Sequence, residues 1–281
     1  MPHNHTNLVN KLCKEISEVP AFEKQYSICT LVTRKDEYTE MLESFREKGF
    51  TEDCCEYLWV DNTEGNKHDA FSAMNLFIKN AKGRYVIFCH QDIYLLEDDK
   101  LSLSSELAKL NKIDPKWACA GNAGTTTFLK NIGVISMPNI TPKPIPNLPL
   151  ESISLDENFI VINNIHSVSA SGNMKGFHLY GIDICQNAIS LGYTCYVINF
   201  HLFHKSLGTV DESFKSSVKQ FQTILHRRKS SQYLQTVCTK FYVSASEFKT
   251  KLTRNRKFLR LARSIHKKKL YKSHKDQLKN K

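Results

Sequence analysis

The sequence has no apolar run of about 18 residues, so it predicts no helix that crosses a bilayer. Its first 20 residues, MPHNHTNLVNKLCKEISEVP, hold neither an apolar segment nor a cleavage signature, which argues against an ordinary secretory signal. No C-x-x-C pair occurs among the nine cysteines, whose number is odd. A zinc knuckle therefore lacks its spacing, and a disulfide scaffold is disfavoured. No G-x-G-x-x-G follows the first predicted strand, which disfavours a dinucleotide cofactor. The G-x-x-x-x-G-K-[ST] phosphate loop and the G-x-S-x-G hydrolase elbow are absent too. No internal repeat is visible.

What is present is enough apolar material for a core. Of 281 residues, 41% are hydrophobic and 10% aromatic, which excludes wholesale disorder. The net charge of +11 is spread unevenly. From His226 to the end there are 18 Lys and Arg against Glu247 and Asp276, a net of +16, which leaves the first 225 residues at −5. The chain thus reads as a mildly acidic body with a strongly basic tail. Cys29, Cys89 and Cys119 lie inside apolar runs, as reduced, buried thiols of a cytosolic protein would.

The body alternates short β-branched runs with segments of helical period. Tyr26 to Thr33 predicts a strand. A helix with Met41, Leu42 and Phe45 on one side follows and stops near Gly49. Tyr57 to Thr63 predicts a second strand, and Phe71, Met74, Phe77 and Ile78 mark a second helix. RYVIFCHQD is a third strand, LSLSSELAKL a helix, and WACAGNAG a strand with a glycine-rich end. Such alternation implies βαβ units, a mostly parallel sheet, and ligands bound beyond the carboxyl ends of its strands. Those ends read Thr33-Arg34, Asp61-Asn62 and His90-Gln91-Asp92. NITPKPIPNLP, with four of the eight prolines, predicts an irregular crossover. SLDENFIVIN predicts a strand with acidic residues at its start, HLYGIDICQNAISLGY a helix burying Ile182, Cys185, Ala188 and Ile189, and YTCYVINFHLFH a final strand. Beyond Asp211 the chain predicts a helix through QYLQTV, then a basic amphipathic helix with Phe258, Leu261, Ala262 and Ile265 on one face, and a disordered end, SHKDQLKNK.

FCHQD is the sharpest chemical signal, because an apolar strand delivers the carboxylate of Asp92 to its carboxyl end. That carboxylate either holds a divalent ion bridging phosphate oxygens or caps the next segment. His204 in HLFHKSLG either ligates such an ion or is an ordinary strand histidine. Asp183, near a helix start, either complements the helix dipole or takes a proton from an acceptor hydroxyl. Asp61 fits a turn or a nucleotide pocket, and Asp156-Glu157 form a further acidic pair.

Together YSICTLVTR, the VDN at Val60 to Asn62, AKGRYVIFCHQDI and LDENF…GFHLYGIDICQNAISLGY…HLFHKSLG resemble the family-2-like glycosyltransferases of GT-A fold. They are most similar to a bacterial branch in which the usual D-x-D is written H-Q-D. The resemblance covers roughly residues 25–215. It implies a Rossmann-like, mostly parallel mixed sheet flanked by helices; outside it the sequence itself predicts a helical lead-in over 1–24 and a basic helical extension over 216–281. It also implies a metal-dependent, inverting transfer from a nucleotide-sugar, a UDP-sugar first, to a glycan or lipid-linked acceptor in cell-surface polysaccharide synthesis. Asp92 and His204 would hold Mn2+ or Mg2+; Thr33, Asp61, His90 and Gln91 would line the donor pocket; Asp183 would be the base. Ile182 and His90 stand where the family usually has acidic residues.

The tail, over 252–275, either lies on the anionic inner face of a cytoplasmic membrane or packs Phe258 and Leu261 on the body with its charges exposed; nucleic-acid binding needs no apolar stripe. Two rival readings are a metal-dependent nucleotidyltransferase and a nucleic-acid-binding module. The first lacks a glycine-rich loop after the first strand. The second has an acidic body without a recognition motif.

Overall fold

The structure, a computed structural model, describes residues 21–206, 212–229, 231–235 and 239–279. The chain divides into two compact units, one to Ser217 and one from Val218.

In the first unit, β1 (Lys24–Val32) lies between β2 (Cys55–Asp61) and β3 (Gly83–Cys89), parallel to both. The crossovers are α1 (Lys35–Glu47), which buries Tyr38, Met41 and Phe45, and α2 (Ala70–Asn80), which buries Phe71, Met74 and Phe77. Gly49 takes φ +84°, a left-handed turn that releases α1 as expected. Asp69 starts α2 by accepting from Ser72 N at 3.0 Å. A short β4 (Ile93–Tyr94) and α3 (Lys100–Ile113) follow. The acidic run before α3 is structural: Asp99 caps it, accepting from Ser102 N at 2.8 Å.

The remaining strands of the large sheet are β5 (Trp117–Gly121), β6 (Ala123–Thr126), β7 (Asn131–Gly133), β9 (Leu150–Leu155), β10 (Phe159–Asn163) and β11 (Thr194–Val197). The spatial order is β2-β1-β3-β10-β5-β11-β9-β6-β7. Six of these nine strands run one way, against which β10, β9 and β7 are reversed. β5 and β10 are buried at every position, which is why they read as unbroken apolar runs. Tyr26, Phe45, Phe50, Trp117, Phe159 and Phe200 are among the largest fully buried side chains of the core. Burying each such side chain stabilises the fold by roughly 1.5–3 kcal/mol. The polar tip of Trp117 is satisfied by Asn111 Oδ1 at 2.8 Å.

Three predicted strands divide. WACAGNAG breaks at Asn122 into β5 and β6. SLDENFIVIN breaks at Asp156, whose Oδ1 accepts from Asn158 N at 3.0 Å and turns the chain back. YTCYVINFHLFH breaks after β11 because acidic side chains capture its backbone donors. Asn199 N donates to Glu106 Oε2 at 3.1 Å and His201 N to Asp98 Oδ2 at 2.5 Å. The chain resumes as β12 (Leu202–His204) in a small sheet, between β4 and β8 (Ile135–Ser136). The proline-rich stretch carries no strand or helix over 139–149.

The helix α4 (Tyr180–Ser190) forms as expected and is followed by Gly192 at φ +87°. Its buried face differs: Gly181, Asp183, Ile184, Cys185 and Ala188 are inside, Ile182 is half-buried and Ile189 exposed. The face turns because Asp183 must reach its hydrogen-bond partners in the interior, described below. Gly181 is required here, since a Cβ would lie 2.3 Å from the carbonyl oxygen of Leu155. Cys29, Cys55, Cys89, Cys119, Cys185 and Cys195 are buried free thiols, as the apolar settings imply.

Helix α5 (Glu212–Lys229) runs into the second unit. There the predicted helix over QYLQTV is corrected, because β13 (Gln232–Gln235) pairs antiparallel with β14 (Lys240–Val243). Tyr233 on β13 and Phe241, Tyr242 and Val243 on β14 are aromatic or β-branched, which suits paired strands. A short α6 (Glu247–Leu252) follows, then α7 (Arg256–Lys279). α7 continues through most of the end predicted to be disordered; residues 280–281 lie outside the described part, as does most of the predicted lead-in. Phe258, Leu261 and Ile265 on α7 are exposed, with Phe241, Val243 and Phe248. Among the described residues no helix is long and apolar enough to cross a membrane.

Candidate active site

The reversed strand β10 brings its own N-terminal end to the carboxyl edge of β3. Register pairs Phe159 with Cys89, and His90 N donates to Asn158 O at 3.0 Å. The turn carrying Asp156 and Glu157 therefore flanks the HQD residues. From the other side β12 pairs antiparallel with β4, placing His204 opposite Ile93, the residue after Asp92. Lys205 N closes this ladder on Asp92 O at 3.0 Å.

The result is a convergence of ring nitrogens and a carboxylate. His204 Nε2 lies 3.2 Å from Asp92 Oδ1, 3.2 Å from His90 Nδ1 and 3.1 Å from Ser206 Oγ. His90 Nδ1 and Asp92 Oδ1 are 3.9 Å apart. Asp92 and His204 are buried, whereas the His90 side chain keeps 37% of its surface exposed. Burial opposes ionisation of Asp92, but hydrogen bonds from His204 and Ser206 outweigh it together and hold the carboxyl well below the usual range. Burial, then the neighbouring His204, holds His90 below the ordinary imidazole value, so it is neutral at pH 7.

The tautomer of His90 follows from Tyr180. The Tyr180 hydroxyl donates to Glu157 O at 3.0 Å, so His90 Nε2, at 2.9 Å, donates to that hydroxyl. The lone pair of His90 Nδ1 then faces Asp92 and His204. This is the arrangement by which a second partner prepares an imidazole to ligate a cation. Ligands about 2.1 Å from one ion stand roughly 3.0–3.5 Å apart when adjacent, close to the spacing here. His90, Asp92 and His204 therefore fit a divalent cation, with Ser206 beside them.

A cavity of about 250 Å³ opens next to this group, lined by Thr33, Arg34, His90, Gln91, Asp92 and Tyr180 among others. The other predicted residues divide. Gln91 is occupied as a clamp: its Oε1 accepts from Thr33 N at 2.8 Å and Arg34 N at 3.0 Å, and its Nε2 donates to Thr33 Oγ1 at 3.0 Å. It shapes the end of β1 at the cavity wall. Asp61, at the end of β2, is half-buried and does not line this cavity. It is held down to about 2 by hydrogen bonds from Thr63 and, less strongly, by Lys35 at 3.3 Å. Asp183 is fully buried and outside the cation group. Ser171 N donates to its Oδ2 at 2.7 Å, Ser171 Oγ to its Oδ1 at 2.6 Å and Asn187 Nδ2 to its Oδ2 at 3.2 Å. Arg34, at a predicted strand mouth, lines the cavity, and so does Tyr180, to which the sequence assigns no role. Tyr180 had a signal, an aromatic residue at the first position of the helix, immediately before Gly181.

Glu157 stands at the same edge, with Oε1 accepting from Gly181 N at 3.4 Å. Burial, and secondarily Asp156, push its carboxyl up from 4.5 to about 7. The folded state keeps this proton longer than the unfolded chain, so stability is greatest below about 4.5 and falls as pH rises through about 7. Thermal unfolding at about pH 5 and about pH 8 is expected to show a larger drop for the wild type than for Glu157→Gln. Equal drops would show that Glu157 titrates as an ordinary carboxylate.

The chain is 39% identical over 195 residues to the protein named ATP synthase subunits region ORF 6 of Fuscovulum blasticum, covering 67% of this chain and 78% of that one. The chain belongs to that protein's family. No protein-family profile matches it. Among solved structures, the family member described here is similar to residues 1–349 of S. aureus TarS at 13% identity and a TM-score of 0.44, over 64% of its own length. Against the same fragment in complex with UDP-GlcNAc the identity is 14% and the TM-score 0.45, over 67% of the chain. In both comparisons it spans 60% of the TarS chain.

Proposed function

We propose that the protein is a glycosyltransferase that takes a sugar from a nucleotide-sugar, a UDP-sugar first, in polysaccharide synthesis. The observation that carries this reading is the meeting of Asp92, His90 and His204 beside the cavity at the carboxyl edge of β1 and β3. This edge is where open α/β sheets bind nucleotides. Two imidazoles and one carboxylate suit Mn2+ better than Mg2+, which prefers oxygen ligands. A divalent ion held there supplies positive charge beside the phosphate oxygens of a leaving nucleoside diphosphate. The protein's own groups do the rest. Thr33 and Arg34 line the donor cavity, Gln91 holds the β1 terminus in place, and Tyr180 keeps the lone pair of His90 directed at Asp92 and His204. Calorimetry with a panel of UDP-sugars and Mn2+ is expected to find one that binds and is slowly hydrolysed to UDP. Binding of none would overturn the reading.

The acceptor we infer is a glycan or a lipid-linked sugar at an anionic membrane surface. The second unit supports this with exposed Phe258, Leu261 and Ile265 on a helix otherwise rich in Lys and Arg. The full chain is expected to float with phosphatidylglycerol vesicles at low salt and less at high salt. Phe258→Asp with Ile265→Asp is expected to abolish flotation. Unchanged flotation of that variant would rule out insertion by this face.

A further inference from the structure

The connection between β6 and β7 is a tight hairpin with Thr127, Phe128, Leu129 and Lys130 at its tip. Thr126 N donates to Lys130 O at 2.9 Å and Lys130 N to Thr126 Oγ1 at 3.2 Å, which closes the turn. Leu129 N donates to Thr126 O at 2.9 Å, and Thr127 N reaches Glu151 O on β9 at 3.1 Å. At the root, Thr125 Oγ1 donates to Asn131 Oδ1 at 2.8 Å. The turn is thus a held projection, yet its two central side chains are apolar and bare. Phe128 is 91% exposed and Leu129 76%, the two most exposed large apolar side chains among the described residues. Leu129 also takes φ +60°, a left-handed conformation that glycine or asparagine enters more readily than leucine. A leucine at this position gains no burial within its own chain, so the fold alone does not account for it.

Shape, charge and place indicate what would cover the pair. A convex tip of two adjacent apolar side chains offers no groove to a protein side chain, but it can sink among acyl chains as one wedge. From Asn122 to Leu150 the sequence holds Lys130 and Lys143, both exposed, and neither Asp nor Glu, although the first 225 residues carry a net of −5. Lys130 follows the apolar pair directly, and its long stem can keep the ammonium at head-group level while the pair goes deeper. β6 runs parallel to β3, so the tip leaves the large sheet at the carboxyl edge, the edge that bears His90 and Asp92. Five strand spacings separate β6 from β3, roughly 24 Å along that edge.

We propose that the tip of the β6–β7 hairpin is a membrane contact of the first unit, inserting Phe128 and Leu129 at the acyl boundary of an anionic bilayer with Lys130 among the head groups. This contact would turn the edge that carries the cation site toward the lipid surface. The inference rests on the membrane reading above, in which the second unit provides the primary attachment, and adds to it a separate contact from the first unit.

The test uses the full chain on phosphatidylglycerol vesicles that contain brominated phosphatidylcholine, a quencher of tryptophan at acyl depth. Trp59 and Trp117 supply the background, read from the wild type. On these vesicles Phe128→Trp is expected to shift its emission to the blue and to lose about half of its added fluorescence, as a ring at acyl depth would. Phe128→Ser with Leu129→Asn is expected to weaken partitioning roughly tenfold. Its melting temperature should not fall, because asparagine suits φ +60° and neither side chain is buried. A Phe128→Trp chain that floats with the vesicles but is quenched no more than the wild type would overturn the inference and leave attachment by the second unit intact. Self-association without lipid that is lost in the Phe128→Ser, Leu129→Asn variant would overturn it in favour of a contact between copies. A wild-type chain that does not float would overturn the membrane reading and this inference together.

Discussion

Asp92→Asn is expected to weaken Mn2+ binding about a hundredfold or more, because it removes the only anionic member of the His90–Asp92–His204 group. The substitution keeps the size of the side chain and one carbonyl oxygen toward His204, so the fold should survive with a nearly unchanged melting temperature. UDP release from a UDP-sugar is expected to fall by a similar factor. Titration calorimetry or manganese paramagnetic resonance on the free protein measures the first effect without any sugar donor. A variant with wild-type manganese affinity would remove Asp92 from the cation site.

The second large effect is on stability. Asp183→Ala removes a fully buried carboxylate that receives Ser171 N, Ser171 Oγ and Asn187 Nδ2. Losing a charged acceptor from buried donors costs about 2–4 kcal/mol. For a chain of this size that is roughly 5–15 °C in melting temperature. Asp183 pins the segment around Ser171 to the first turn of α4, so its loss should loosen that segment before the rest of the sheet. The same experiment decides between two roles for this residue. A variant that melts like the wild type but releases UDP slowly would return Asp183 to the position of acceptor base.

Much of the first unit could be read from periodicity, because its helices bury residues at regular spacing and its central strands are covered on both faces. The breaks were harder. The division of YTCYVINFHLFH depends on Asp98 and Glu106 taking backbone donors from a distant segment, and no local pattern carries that information. The reversal of β10 depends on an Asx turn at Asp156 that resembles an ordinary acidic strand start. At the site, HQD and His204 were visible because both end apolar runs. The tautomer of His90 was not, since it depends on Tyr180 and a carbonyl from a third element. Gln91 lines the cavity, as its position at a strand mouth suggests, but that its amide also clamps the end of β1 could not be read from position alone.

His90 and Asp92 come directly after a strand of the large sheet, whereas His204 belongs to the small one. An ion held by all three would act as a rivet between two otherwise separate pleated layers. Any ligand bound solely by the native chain adds to its resistance to unfolding in proportion to the logarithm of ligand concentration. Heat tolerance of this protein would accordingly track the supply of trace metal, with the junction of the two layers the first place to slacken in its absence.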